Sequence, residues 1–423
     1  MVESSEVPRI PPLSRAVLSL AVSTAVFLFG SLTLIAPSGY SWGPALLLAL
    51  SIIGYAKSRC PIDFRKDYIP IAVAFALFFL LALCNIFIHD LDLRTLDRPS
   101  RFLFAILVFP ILVQYPPRPS FLWSGMAVGA ILAGLWASKQ VLIDGISRAH
   151  GNTHIIQFGN IAILLGFLNL AGFFWAIRQR KNFQVLKILS ILGVIGGIAA
   201  SILSGSRGGW VSFPIMTFIC LYFLAPSLTK AQILVVIAAI GLIITALLVI
   251  KGTGVAHRSQ QAVTEVRDYL STGQANTSTG ARLEMWKAAI ILGSRRPIIG
   301  WGEKEVEDQK KRLVKEEGLD PYILKFSHAH NDFLDNWQKR GAFGLIVFTL
   351  LYGIPLIMFI RKFLIIRSEE KSLALAGIII CASYICFSLT QAFFEHNSGA
   401  TVYAFAVTIF WALITKTDLP HQK

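Results

Sequence analysis

Apolar residues run through this chain in long unbroken stretches. A membrane-crossing helix needs about 20 mostly apolar residues, and such stretches lie near 16–36, 68–88, 121–143, 155–177, 184–204, 209–226, 231–250, 342–360 and 372–394. Three shorter runs, near 40–56, 102–115 and 400–415, bring the expected total to twelve spans. Pro110, Pro214 and Pro355 fall inside spans, where neighbouring helices accommodate a kink. The first run follows a polar lead, Met1 to Ser14, and exceeds the length of a signal-peptide core, so it reads as a retained helix. No internal repeat or low-complexity tract interrupts the pattern.

Between the ninth and tenth spans the chain turns polar. Residues 251–341 therefore form the one stretch large enough to fold outside the bilayer, between helices one to nine (1–250) and helices ten to twelve with a tail (342–423). Helical spacing returns within it: Val263, Val266 and Leu270 in one segment, Leu283, Trp286 and Ile290 in another. Ser271 to Gly280 is a turn region between them. Arg296 to Gly302 breaks the helical pattern, and Glu303 to Glu317 reads as a mixed-charge helix with a solvated face. The fold expected is an all-α integral membrane protein with a helical loop domain.

Composition agrees, with 55% hydrophobic and 15% charged residues. The formal charge of +15 points to anionic lipid head groups or phosphates. Nucleic acid fits poorly as a partner, because the basic residues are spread over short loops and form no continuous face. Their distribution instead sets orientation. One set of short loops holds fourteen (Lys57, Arg59, Arg65, Lys66, Arg118, Arg178, Arg180, Lys181, Lys187, Lys230, Arg361, Lys362, Arg367 and Lys371). The opposite set holds five: Arg94, Arg98, Arg101, Arg148 and Arg207. The positive-inside rule then puts both termini in the cytoplasm and residues 251–341 on the other face. Five scattered cysteines, none in the long loop, imply no disulfide framework.

Candidate chemistry gathers on that outer face. Ser204 to Trp210 reads as a tight hairpin between two spans, in which Gly205, Gly208 and Gly209 permit sharp turning and close approach to a ligand. Arg207 is its one charge. It suits either an interfacial anchor or a phosphate, whose oxygens its planar fork matches. Arg282, opening a loop helix after Thr279-Gly280, suits a surface ion pair with Glu284 or the same anion. Ser327-His328-Ala329-His330-Asn331-Asp332 closes the loop. His330 suits either a helix-start residue satisfied by backbone hydrogen bonds or, since a neutral imidazole takes up a proton near neutral pH, a base, a role for which His328 competes. At i and i+2 on a helix His328 would face elsewhere. The pair is poorly spaced for zinc, and no cysteine lies nearby. His328, Asn331, Arg148 and Trp301 are candidate substrate-lining groups.

His330-Asn331 followed by Gly341-Ala342-Phe343-Gly344 resembles the His-Asn…Gly-x-x-Gly signature of O-antigen ligases. The Ser206-Arg207-Gly208 hairpin, the arginine before Trp286 and twelve spans are similar too. The resemblance covers about 185–360 in motif and the whole chain in hydropathy. It also takes in O-antigen polymerases and protein O-oligosaccharyltransferases of the same superfamily. It implies a type-C glycosyltransferase on the periplasmic face of the bacterial inner membrane. The enzyme would move O-antigen from undecaprenyl diphosphate to lipid A–core oligosaccharide. Arg207 and Arg282 would hold the diphosphate and His330 would act as base, with inversion and with no metal or other cofactor.

Asp90-Leu91-Asp92 keeps a metal-dependent variant open, since many type-C enzymes use an Asp-x-Asp pair; Arg94, Arg98 and Arg101 are alternative partners for those carboxylates. Glu395 and His396 read as structural or substrate-lining. A lipid-linked oligosaccharide transporter is the rival class, but it would expose ionisable groups near mid-membrane, where these spans are nearly free of charge.

Overall fold

The computed structural model describes residues 12–56, 66–179, 182–224, 255–366 and 370–415. Within these residues the regular structure is helical throughout, with no strand. Eight helices precede the long polar loop: α1 (Pro12–Leu32), α2 (Gly39–Ala56), α3 (Ile69–His89), α4 (Asp97–Gln114), α5 (Pro119–Ser138), α6 (Ile155–Arg178), α7 (Gln184–Ser204) and α8 (Arg207–Leu224). The loop contributes α9 (Val255–Thr272), α10 (Ser278–Arg295) and α11 (Gly302–Glu317), and then come α12 (Asp332–Ile365), α13 (Lys371–Ser388) and α14 (Asn397–Thr415). Among the described residues, nine helices are long and apolar enough to cross a membrane: α1, α2, α3, α5, α6, α7, α12, α13 and α14. The expected span at 231–250 lies outside the described residues.

Two of the expected spans bear on the site. The weak run at 400–415 belongs to α14, whose membrane-length window is wholly buried in protein. It packs against α2, α4 and α13. Its small and hydroxyl residues, among them Ser398, Gly399, Ala400, Thr401, Ala404 and Thr408, let helices approach closely. The expected span at 372–394 is shorter: α13 stops at Ser388, and 389–396 is an irregular connection ending in a 3-10 turn at Phe393–Glu395.

The loop segment builds its own small core. Ala281, Met285, Ala288 and Leu292 of α10 pack with Val306 and Leu313 of α11, Leu319 and Ile323. The mixed-charge helix thus has a solvated face and, one heptad apart, two buried apolar positions. Trp301 belongs to this unit, donating from Nε1 to the Leu292 carbonyl (2.7 Å) with the Arg296 guanidinium 4.0 Å from its ring.

The unit joins the bundle at a kink in α12. Gly341 has φ 60° and ψ −152°, a region essentially restricted to glycine. The kink frees two amides, and the strap before Trp301 takes them: Ala342 N–H donates to the Pro297 carbonyl (2.7 Å) and Phe343 N–H to that of Ile298 (3.4 Å). A Cβ on Gly341 would lie 2.5 Å from the Ile298 backbone. Gly341→Ala is therefore expected to destabilise the fold by about 1–3 kcal/mol from backbone strain alone, with the clash in addition. A thermal melt of the purified variant beside Gly353→Ala, where an added Cβ meets nothing within 4 Å, checks this; an unchanged Tm for Gly341→Ala would remove the kink's role.

Candidate functional site

Where the loop unit meets the bundle lies a cavity of about 660 Å³, within the usual range for small-ligand sites, roughly 300–1,000 Å³. Three helices begin at its wall: α6 through His154, Ile155 and Ile156, α8 through Ser206, Arg207 and Gly208, and α10 through Thr277, Ser278 and Ala281. Local sequence explains these starts. Gly205 adopts φ 62°, capping α7 by donating to the Ile202 carbonyl, so the chain reverses at once into α8. The Thr277 hydroxyl accepts from Gly280 N–H (3.1 Å) and caps α10. Aligned peptide dipoles make such helix starts favourable to negative charge, and at α10 the Glu265 carboxylate already uses one, accepting from Thr279 N–H (3.0 Å).

Side chains add to that field. Arg148, Arg207 and Arg282 all line the cavity, and no carboxylate does among the described residues. Arg148 is held by the Ser204 carbonyl (2.8 Å) and the Gly205 carbonyl (3.3 Å), both at the end of α7. Arg207 donates to Thr279 Oγ1 (3.0 Å) and Glu265 Oε2 (3.3 Å). Burial raises the Glu265 carboxyl, but two hydrogen bonds from Thr279 and the charge of Arg207 outweigh it and hold it below its ordinary value. Arg282 pairs with no carboxylate among the described residues. Glu284, its expected partner, instead accepts from Tyr269 and from Asp320 N–H. Burial, with Arg207 close by, depresses the Arg282 pKa. Two neighbouring guanidiniums thus face one cavity, that of Arg207 already paired with Glu265 and that of Arg282 without a carboxylate partner among the described residues.

His330 lines the same cavity. It is a non-glycine residue at φ 49°, a conformation uncommon for side-chain-bearing residues and concentrated at functional sites. The surroundings enforce it. Ala329 N–H donates to Asp335 Oδ1 (2.9 Å) on one side. On the other, Asn331 caps α12, its Oδ1 accepting from Phe333 N–H (3.0 Å) and Leu334 N–H (3.1 Å). His330 Nδ1–H donates to Gln391 Oε1, and Gln391 Nε2–H donates to His396 Nε2 (3.2 Å). An amide oxygen only accepts, so the proton sits on Nδ1 and Nε2 is the basic nitrogen. Burial, reinforced by the neighbouring His328 and by Arg282 against the opposing Gln391 bond, lowers the His330 pKa to about 3.

The structure thus gathers Arg148, Arg207, Arg282 and His330 around one cavity. His328 is not on a helix, and the expectation that it faces away from His330 fails. Their ring centroids lie 4.3 Å apart, because residues 326–331 form an irregular turn rather than the start of α12. Asn331 and Trp301 do not line the cavity; their polar groups cap α12 and brace the loop unit. Asp92 caps a 3-10 turn by accepting from Arg94 N–H (2.7 Å), while Arg98 pairs with Glu395 and Arg101 with Asp97.

Sequence reasoning missed His154, Gln391 and Glu265. Gln391 lay hidden inside an apolar run read as helix to 394, and no local signal marks the other two.

Comparison with known proteins bears on residues 192–349, which match the family described as O-antigen ligase. That stretch contains Arg207, Arg282, His330 and the Gly341 kink and excludes Arg148, His154, Gln391 and His396. Across nearly the whole chain, an uncharacterized protein of Haemophilus influenzae is 30% identical over 395 residues, covering 93% of this chain and 98% of its own length.

Proposed function

Because this chain belongs to the O-antigen ligase family of multi-pass membrane enzymes, we propose that it transfers O-antigen polysaccharide from undecaprenyl diphosphate to lipid A–core oligosaccharide at the periplasmic face of the bacterial inner membrane. The observation that carries this reading is the pairing of Arg207 and Arg282 with a neutral, oriented His330 around one cavity. The donor's diphosphate would lie against the two guanidiniums and the helix starts at Arg207 and Ser278. His330 Nε2 would take the proton of the acceptor hydroxyl as its oxygen attacks the anomeric carbon. The bond to the diphosphate breaks with its electron pair going to the leaving oxygen, and one displacement inverts the anomeric centre. Negative charge builds on the leaving group in a poorly hydrated site, where fixed cations stabilise it without reorganisation. The proton on Nδ1 remains shared with Gln391, which keeps the ring in register as it becomes an imidazolium. The reaction so drawn needs no divalent metal from Asp90 and Asp92.

Reconstitution tests this. Purified full-length protein, given undecaprenyl-diphosphate-linked polysaccharide and lipid A–core in the presence of excess chelator, should produce capped lipopolysaccharide on a gel. Growth of the lipid-linked polysaccharide without capping would assign a polymerase instead. Activity that requires added magnesium would return Asp90 and Asp92 to consideration.

A further inference from the structure

A second cavity, of about 360 Å³, adjoins the first at His154, which lines both. Every lining side chain carries a polar group, among them Tyr40, Asn152, Thr153, His396, Asn397 and Ser398. Its charges balance: Arg94 and Arg98 stand against Asp97 and Glu395. The first cavity has three arginines and no carboxylate among the described residues. The two therefore suit different ligands, an anion in one and an uncharged, hydroxyl-rich molecule in the other. Hydroxyls of a sugar both donate and accept, which this mixture of amides, hydroxyls and imidazoles can match at many points. The imidazoles contribute as neutral groups. Burial, with Arg148 beside His154 and with His154 and His328 beside His396, lowers both pKa values, His396 to about 4.

The position of the cavity is as informative as its chemistry. The rings of His154 and His396 stack at 5.1 Å, and His396 is joined through Gln391 to His330. Neither Arg207 nor Arg282 lines the second cavity. In a displacement with inversion the nucleophile enters opposite the leaving group, so the acceptor belongs on the side of the anomeric carbon away from the two arginines.

We propose that the cavity bounded by Tyr40, Thr153, Asn397 and Ser398 binds the sugar of the acceptor and presents its hydroxyl past His154 to His330. This rests on the transferase reading above, and a carbohydrate there could also come from the donor's repeat unit. Binding to the full-length protein in nanodiscs separates the cases with three probes: lipid-free core oligosaccharide, an oligosaccharide of the repeat unit, and inorganic pyrophosphate. Thr153→Trp fills the cavity and Tyr40→Ala removes its aromatic wall. Both should weaken core oligosaccharide about tenfold or more and leave pyrophosphate unchanged. If Thr153→Trp loses pyrophosphate as well, its fold is disturbed and Tyr40→Ala alone decides. Core binding equal to wild type in the deciding variants overturns the proposal, and so does selective loss of the repeat oligosaccharide, which would give the cavity to the donor. Wild-type protein that does not bind core oligosaccharide overturns the transfer-to-core reading, and the acceptor assignment falls with it.

Discussion

His330→Ala is expected to lower transfer by about 10²–10⁴-fold, the contribution of a positioned base, while leaving the protein folded and able to bind pyrophosphate. Binding should persist because Arg207 and Arg282 hold the anion. The pH profile gives a sharper test. An unperturbed imidazole loses its basic form below about pH 6.5, but that of His330 is held down to about 3 by burial, by His328 and by Arg282. A lowered pKa means the neutral form survives further into acid. The profile of kcat/KM, which reports the free enzyme, should therefore show no inflection near pH 6.5. His328→Ala should remain active, and removal of its neighbouring charge should move the acid limb upward, toward the ordinary value. An active His330→Ala enzyme, or a wild-type limb at about pH 6.5, would place the base elsewhere.

Arg282→Ala should cost about 10²–10³-fold in kcat, as loss of one preorganised donor to a developing anion does, with Arg282→Lys recovering only part because the bidentate fork is gone. Arg207→Ala should cost as much in rate but differ in stability. Arg207 answers the buried carboxylate of Glu265, and removing it leaves that charge without its cation, whereas Arg282 leaves no carboxylate behind. The paired measurement is kcat with Tm: Arg282→Ala slow with an unchanged Tm, Arg207→Ala slow with a lowered one. Wild-type turnover in both alanine variants would return the arginines to interfacial anchoring.

The sequence carried the helical membrane fold because a helix that crosses a bilayer needs a run of about 20 mostly apolar residues, whether it faces lipid or protein. It carried α14 as well, although the shorter apolar run at 400–415 omitted the helix's polar first turn, Asn397-Ser398. Arg207 and Arg282 stood out in the sequence as charges beside glycines on the outer face, where an anchor or an ion pair fits as well as an anion, and Arg207 does pair with Glu265. His328 was misread because a pattern of i and i+2 means opposite faces only if the backbone is helical, and φ 49° at His330 shows that it is not. Gln391, the partner that sets the tautomer of His330, could not be read at all. Its role depends on α13 ending at Ser388, and an apolar run that continues into a buried connection gives no sign of that end.

The central position of α14 has a consequence for how the protein is made. It is the last of the described helices in chain order, yet it fills the middle of the bundle between α2 and α4, synthesised early, and α13, synthesised late. Truncation before α14 is therefore expected to leave α2, α4 and α13 without the helix they pack against. A nascent chain halted before α14 already carries its arginines, His330 and Gln391, but lacks the helix that anchors the far end of the connection through Ala400 N–H to the His396 carbonyl (3.2 Å).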